Sequence, residues 1–90
     1  MPPTINPPSM RGLVAFESVV RHASFTKAAE ELNITQGAVS HQIRKLESVL
    51  GAELFDRSGA GLPLTRFGRR YIEDIRPGLQ SIVHAASHKI

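Results

Sequence analysis

The fold of this chain is decided by the stretch Thr35-Gln36-Gly37-Ala38-Val39-Ser40-His41-Gln42-Ile43-Arg44-Lys45-Leu46. Its apolar residues recur every three or four positions, which indicates an amphipathic helix with one face turned toward a core. The opposite face carries hydrogen-bonding or very small groups, namely Gln36, Gly37, Ser40, His41 and Arg44. Such groups can contact base edges in the major groove of DNA. The pattern therefore predicts a DNA recognition helix over residues 35–50, with Thr35 as its N-cap.

A shorter apolar stripe precedes this helix and predicts another helix from about Phe25 to Leu32, capped by Ser24. Asn33 is expected to end it, because asparagine tolerates the left-handed backbone of a tight turn. Ile34 is then expected to pack between the two helices. Two helices joined by so short a turn, with alanines where they cross, predict a helix-turn-helix. An ordinary helical hairpin within a bundle is the alternative.

Length and charge narrow the class of protein. Ninety residues suffice for one domain with a modest core, and the absence of cysteine excludes disulfides and thiolate metal sites. No apolar run reaches the length of a membrane span, so we expect a soluble, cytoplasmic protein that does not bind membranes. The net charge of +3 arises from residues 36–70, because the charges in residues 1–35 and 71–90 cancel. A local cationic region favours a polyanion such as nucleic acid.

The N-terminal part of the chain predicts a tail and a supporting helix. Residues 1–8 contain four prolines, which block helices and strands and predict a disordered segment. Ser9 is a candidate cap for a first helix that runs to about His22. We expect this helix to support the helix-turn-helix.

A wing is predicted after the recognition helix, which Gly51 is expected to end with a left-handed cap. Residues 54–57 and 62–64 predict two short strands around a Ser-Gly-Ala-Gly tip, and Pro63 restricts its strand to an edge. The predicted fold is mainly α. It is a winged helix-turn-helix, with a three-helix core and a two-stranded wing, over residues 9–65.

Residues 66–90 predict a linker helix that also serves dimerisation, with Thr65 as its cap. Its apolar residues alternate in steps of three and four, as in a coiled-coil seam, which predicts contact with a second copy of the chain. Folding of the helix back onto the monomer is the alternative. Pro77 and Gly78 interrupt the pattern, so a kink is expected there. The predicted dimer-interface residues are Ile72, Ile75, Leu79, Ile82 and Ala86.

Further residues are candidates for the sugar–phosphate backbone of DNA. Lys27 lies in the first turn of its helix, where the helix dipole disfavours a cation by roughly a few tenths of a kcal/mol, and a bound phosphate would reverse that effect. Ser24 and Thr26 stand at the same helix start, and small hydroxyls there commonly hold phosphate oxygens. Arg57 is predicted to reach a phosphate from the wing. An ion pair with Glu53 is the alternative.

Several motifs stand at fixed spacing over about residues 10–85. They are Ser24-Phe25-Thr26-Lys27-Ala28-Ala29-Glu30-Glu31-Leu32, Thr35-Gln36, Gln42-Ile43-Arg44-Lys45-Leu46-Glu47, Leu54-Phe55, and Leu64-Thr65 with Gly68. Together they resemble the N-terminal DNA-binding domain of LysR-type transcriptional regulators. His41 and Arg21-His22-Ala23-Ser24-Phe25 resemble the branch that includes the glycine-cleavage and β-lactamase regulators. The resemblance implies a winged helix-turn-helix followed by a linker helix that pairs antiparallel with its twin.

The resemblance also implies roles for single residues. In such proteins the residues that match Gln36, Gly37, Ser40 and His41 commonly contact bases, and those that match Thr26, Arg44, Arg57 and Thr65 lie near the backbone. The predicted DNA-backbone contacts are therefore Ser24, Thr26, Lys27, Thr35, Arg44, Arg57 and Thr65. Family members continue into an effector-binding domain that senses a small molecule, and this chain ends at Ile90. We expect an isolated DNA-binding domain of a longer regulator, with a natural short protein as the alternative.

The predicted function is sequence-specific binding of double-stranded DNA by a homodimer, with no enzyme activity, no cofactor and no metal. Ser40 and His41 are adjacent, so on a helix they point about 100° apart and cannot form a nucleophile and its base. His84 and His88 could supply only two metal ligands near a chain end, which is a weak site. The alternative function is a winged-helix module that binds proteins and not DNA.

Overall fold

A computed structural model describes residues 8–87, apart from the side chains of residues 83, 84, 86 and 87. Most of the predicted tail, residues 1–8, lies outside the described residues. Within the described part the chain forms four helices, α1 (Met10–His22), α2 (Phe25–Leu32), α3 (Gln36–Leu50) and α4 (Arg66–Ser87). The mainly α fold is confirmed. The described residues divide into two compact units, one that ends at Ala52 and one that begins at Glu53.

The first unit is a three-helix core in which α1, α2 and α3 pack against one another. The predicted apolar face of α3 is buried, with Val39 and Ile43 fully enclosed. Phe16 of α1 is also fully buried, and burial of each such side chain is favourable by about 1.5–3 kcal/mol. Gly12 lets α1 approach α3 closely, since an added Cβ would lie 3.4 Å from the Cβ of Leu46. This packing holds α3 firmly by its apolar side.

Each helix of the first unit begins at its predicted cap. The hydroxyls of Ser9, Ser24 and Thr35 accept a hydrogen bond from the backbone N–H three residues later, at 3.1, 3.0 and 3.0 Å. These bonds satisfy N–H groups that a helix start leaves without a partner, and each such cap stabilises by about 1 kcal/mol. The predicted starts of α1, α2 and α3 are therefore confirmed.

The turn between α2 and α3 is a left-handed one, as predicted from Asn33, whose φ is 58°. The N–H of Ile34 bonds to the carbonyl of Ala29 at 3.0 Å, which closes the end of α2. The expectation for the Ile34 side chain was wrong, because 42% of the residue is exposed. Ala28 and Ala29 of α2 are buried, whereas Ile34 in the turn is not.

A polar cluster joins α1 to α2 around the carboxylate of Glu31. The hydroxyl of Ser18, which is fully buried, donates to Glu31 at 2.5 Å, and the guanidinium of Arg21 donates to it at 2.7 Å. His22 lies 3.2 Å from the same oxygen, and Arg21 also pairs with Glu17 at 2.9 Å. Sequence analysis did not foresee this cluster, because its members come from two helices whose relative rotation only packing decides.

We expect Glu31→Gln to lower the free energy of unfolding by about 1 kcal/mol at neutral pH, because the amide keeps an acceptor for Ser18 and loses the partly exposed ion pairs. Hydrogen bonds from Arg21 and then Ser18 lower the pKa of Glu31 from 4.5 to about 2. A depressed carboxylate pKa stabilises the folded state above pH 4.5, and this contribution disappears as the pH falls toward 2. Thermal melts of the two proteins should therefore converge over that interval.

Glu30→Gln is the matched control, since Glu30 is the neighbouring acid on α2 and is exposed. Its melting temperature should differ little from that of the parent protein at every pH. An equal loss of stability in both variants would contradict the role given to the Glu31 cluster.

The second unit begins with a hairpin that is smaller than the predicted wing. Two strands were expected, but within the described residues the hairpin forms one antiparallel bridge, between Phe55 and Leu64. Beside this bridge the N–H of Asp56 donates to the carbonyl of Pro63 at 2.8 Å. The ladder stops there because Pro63 has no N–H, and because Asp56 turns the chain by accepting from the N–H and hydroxyl of Ser58.

Helix α4 begins where Thr65 was predicted to cap it. The hydroxyl of Thr65 accepts from the N–H of Gly68 at 2.9 Å. The helix continues through Pro77, the site of the expected kink, to Ser87. Gly68 has a packing reason of its own, since an added Cβ would overlap the carbonyl oxygen of Leu54 and lie 2.9 Å from its carbonyl carbon. None of the helices in residues 8–87 is long and apolar enough to cross a membrane.

Candidate nucleic-acid interface

The four predicted base-contacting residues all lie on the accessible side of the first half of α3. Gln36, Gly37 and His41 are exposed, and Ser40 is partly exposed. Their accessibility follows from the opposite, apolar face, whose burial fixes the rotation of the helix about its axis. The side chains are therefore available to a ligand that approaches the start of α3.

Gly37 has no packing role that the structure reveals. The nearest atom to an added Cβ would be the hydroxyl oxygen of Thr35, at 3.9 Å, which is an ordinary contact distance. A glycine inside a helix costs about 0.5–1 kcal/mol relative to alanine. The core therefore does not require this glycine, and its role in a close approach to DNA stays a prediction.

Thr26 of α2, a predicted contact of the DNA backbone, lies next to Gln36 of α3, a predicted contact of a base. The hydroxyl of Thr26 donates to the side-chain oxygen of Gln36 at 3.4 Å, a long and weak hydrogen bond. The helix-turn-helix thus places the starts of both helices at one surface. The amide nitrogen of Gln36 remains able to donate to a further group.

The three capping hydroxyls in the predicted site differ in whether the hydroxyl proton is still available to a ligand. Ser24 and Thr35 accept from the helix backbone, and their hydroxyl protons remain available to an anion. Thr65 instead donates its proton to the carbonyl of Glu53 at 2.7 Å while accepting from Gly68. A phosphate could take the proton of Thr65 only by displacing that carbonyl, so Ser24 and Thr35 are the better-placed donors.

Positive charge is exposed on the first unit without internal neutralisation. Lys27 and Arg44 are exposed, and no carboxylate within residues 8–87 lies within 4 Å of either one. Glu31, which follows Lys27 by four positions on α2, is paired with Arg21, as is Glu17 of α1. The charges of Lys27 and Arg44 are therefore available to an external anion.

Lys45 is a residue that the sequence analysis left out of the site. It is exposed and adjoins Arg44, and among the described residues it has no acidic partner. It follows His41 by four positions, which places the two side chains on one face of α3. That spacing was the signal that could have identified it.

Arg57 takes the alternative that the sequence left open. Its guanidinium lies 3.5 Å from the carboxylate of Glu53, which stands four residues earlier in the sequence. The carboxylate of Glu53 is mostly exposed, so the pair is a weak surface interaction. A contact of Arg57 with a DNA phosphate stays a prediction. In that contact the phosphate would replace the carboxylate of Glu53 as the partner of the guanidinium.

The predicted dimer seam is partly occupied within the single chain. Ile72 and Leu79 are only 3% and 8% exposed, Ile75 is partly exposed, and Ile82 is 52% exposed. The side chain of Ala86 lies outside the description, as do those of His84 and His88, the two candidate metal ligands. Within the described residues, histidine and carboxylate side chains form no group of three that could hold a metal ion.

Comparison with known proteins adds an independent line of observation. Residues 10–69 match the profile of the family described as bacterial regulatory helix-turn-helix protein, LysR family. The glycine cleavage system transcriptional activator of Escherichia coli K12 is 46% identical over 78 residues, which are 87% of this chain and 26% of that protein. Its homolog from Haemophilus influenzae is 49% identical over the same shares. The transcriptional activator AmpR of Pseudomonas aeruginosa is 54% identical over 59 residues, 66% of this chain and 20% of that protein.

Solved structures agree with these matches. The DNA-binding domain of BenM, in complex with benA site 1 DNA, has a TM-score of 0.78 at 34% identity, covering 88% of this chain and 89% of that one. Vibrio fischeri DarR in complex with DNA has a TM-score of 0.79 at 33% identity, covering 91% of this chain and 28% of that one. The chain spans about a quarter of the length of the curated regulators that it matches.

Proposed function

Because the chain belongs to the LysR family of bacterial regulatory helix-turn-helix proteins, we propose that it is the DNA-binding part of a transcription regulator and binds double-stranded DNA sequence-specifically through α3. The observation that carries the proposal is the accessible face at the start of α3, where hydrogen-bonding groups stand above a buried apolar side. A helix presented in this way can enter the major groove.

Base contacts are assigned to Gln36, Gly37, Ser40 and His41. The side-chain amide of Gln36 can donate to and accept from one adenine edge, and Ser40 and His41 can each donate or accept there. Gly37 allows the helix backbone to approach the bases. Because the groove distinguishes base pairs by their donor and acceptor pattern, these groups would give the domain its sequence preference.

Contacts with phosphates position the helix in the groove and carry no sequence information by themselves. Lys27 and Arg44 supply exposed charge, and the hydroxyls of Ser24 and Thr35 supply donors at the starts of α2 and α3. Thr26 can donate there once its long bond to Gln36 is released. Arg57 and Thr65 belong to the same proposed set, although each would first release its partner within the hairpin unit.

We propose further that the protein acts as a two-fold dimer joined along α4. Ile82 is exposed and Ile75 is partly exposed, so both can contact a second copy of the chain. A two-fold dimer presents two α3 helices to a palindromic site, which doubles the contacts. We place the protein in the cytoplasm, where the chromosome is accessible, and assign any small-molecule effector to a domain beyond this chain. The proposed role requires no catalysis.

The direct test is selection of duplexes from a random pool by the purified chain, followed by measurement of affinity against salt concentration. We expect an enriched consensus and a logarithmic salt dependence with a slope of roughly −0.9 for each phosphate contacted. A chain that ignores duplex DNA at low salt would refute the proposal and favour the winged-helix module that binds proteins.

A further inference from the structure

Helix α4 carries a group of arginines that neither the core nor the proposed recognition surface uses. Arg66, Arg69 and Arg70, here called the arginine face, are all exposed. At about 100° per residue they span roughly 100° of the helix surface and about 6 Å along its axis. Ile72 and Leu79, which are buried, lie roughly 110–130° around the helix from the middle of this face. The three guanidinium groups therefore form one continuous solvent-facing patch.

The arginine face has no counterion among the described residues. No carboxylate within residues 8–87 lies within 4 Å of any of the three side chains, and the first turn of α4 contains no acid. Like charges three or four residues apart destabilise a helix. A cation in the first turn also opposes the helix dipole, which is unfavourable. An external anion would turn both terms into stabilisation.

Local composition concentrates the charge at this end of the helix. Residues 66–70 contain three arginines and no acid, whereas Glu73 and Asp74 follow in the next turn. Arg76 has these two carboxylates in the turn before it and is less accessible. The positive potential of α4 is therefore confined to its beginning, next to the hairpin that precedes it in sequence.

A second copy of the chain is the other possible source of anions. The proposed dimer, however, uses the apolar seam of α4, and the arginine face lies roughly on the opposite side of that helix. A copy packed along the seam would leave the arginines in solvent. Duplex DNA carries about one negative charge per 1.7 Å of its axis and can meet several guanidinium groups at once. DNA phosphates therefore fit this patch better.

We propose that Arg66, Arg69 and Arg70 bind phosphates of the DNA duplex, so that the second unit adds its own backbone contacts to those of the helix-turn-helix. This inference rests on the proposed function. It assigns the arginine face to affinity and salt dependence and not to the choice of site, because phosphates are common to all sequences.

The test compares the parent chain with the triple variant Arg66→Gln, Arg69→Gln, Arg70→Gln on the selected duplex and on a random duplex. We expect the logarithmic salt slope to become shallower by about 0.9 to 2.7, which is about 0.9 for each lost contact. If all three contacts are lost, the parent should weaken about 40-fold more than the variant when salt rises from about 50 to 200 mM. The ratio of the affinity for the selected duplex to the affinity for the random duplex should be the same in the parent and in the variant.

Arg76→Gln is the matched control for Arg69→Gln. Both remove one charge from α4 at nearly the same angle around the helix, about 10 Å apart along its axis. Only Arg69→Gln should change the slope. A triple lysine variant, which keeps the charges, should retain most of the slope.

Two outcomes would overturn the inference while leaving the proposed function intact. One outcome is that the parent chain binds DNA and the folded triple variant shows the same salt slope as the parent. The other is a variant that changes only the dimerisation constant in sedimentation, which would assign the arginines to the second copy. Failure of the parent chain to bind DNA would instead refute the proposed function itself.

Discussion

Gln36→Ala is expected to lower the affinity for the selected DNA site about 5- to 150-fold, which corresponds to about 1–3 kcal/mol, while affinity for random duplex changes little. The physical reason is that the amide can donate to and accept from one base edge, and alanine can do neither. The side chain is exposed and its one described contact is the long bond from Thr26, so the folded chain loses little stability. Competition binding with selected and random duplexes measures both affinities.

Ser48→Ala is the control on the same helix. Ser48 is also exposed but lies about 18 Å further along the axis of α3. Its replacement should leave both affinities within about twofold of the parent values. If Gln36→Ala weakened both duplexes equally, Gln36 would contact the backbone and not a base, and the assignment of the start of α3 to base contacts would lose its main support.

The largest expected effect on stability comes from Gly68→Ala. An added methyl group would overlap the carbonyl oxygen of Leu54, and that oxygen already accepts the N–H of Thr65 at 3.0 Å. Because backbone atoms are on both sides of the clash, no side-chain rotation can relieve it. We expect a loss of about 3 kcal/mol or more, at the upper end of what overpacking costs. Urea unfolding followed by circular dichroism measures it.

Gly78→Ala supplies the comparison within α4, because no atom lies within 4 Å of a Cβ at that position. Alanine has the higher helix propensity, so this variant should be more stable by about 0.5–1 kcal/mol. The two substitutions add the same methyl group to the same helix and should act in opposite directions. Equal effects would mean that the close approach of Gly68 to Leu54 does not limit stability.

The recognition helix illustrates what a local pattern can determine. The period of Val39, Ile43 and Leu46 identified the buried face, and the accessible positions of Gln36 and His41 followed from it without any knowledge of the tertiary structure. The caps were equally predictable, because a hydroxyl three residues before a backbone N–H is a matter of local geometry.

The failures occurred where a residue depends on distant parts of the chain. Ile34 is apolar and was expected inside, yet it is 42% exposed in the turn between α2 and α3. The wing strands shorten to one bridge, because Pro63 has no N–H to donate and because the side chain of Asp56 turns the chain at Ser58. Burial at a turn and pairing across a hairpin depend on more than one segment, so the pattern of a single segment does not predict them.

The sequence by itself determined the helices, their limits, the predicted family and the side of α3 that is free to contact a ligand, because hydrophobic period and capping act over a few neighbouring residues. Only the tertiary structure decided that Glu31 gathers Ser18, Arg21 and His22, that Arg57 pairs with Glu53, and that Gly68 leaves space for a carbonyl. Apart from the Arg57–Glu53 pair, which spans four positions, these contacts join residues distant in sequence, and their distances are set by how whole elements pack.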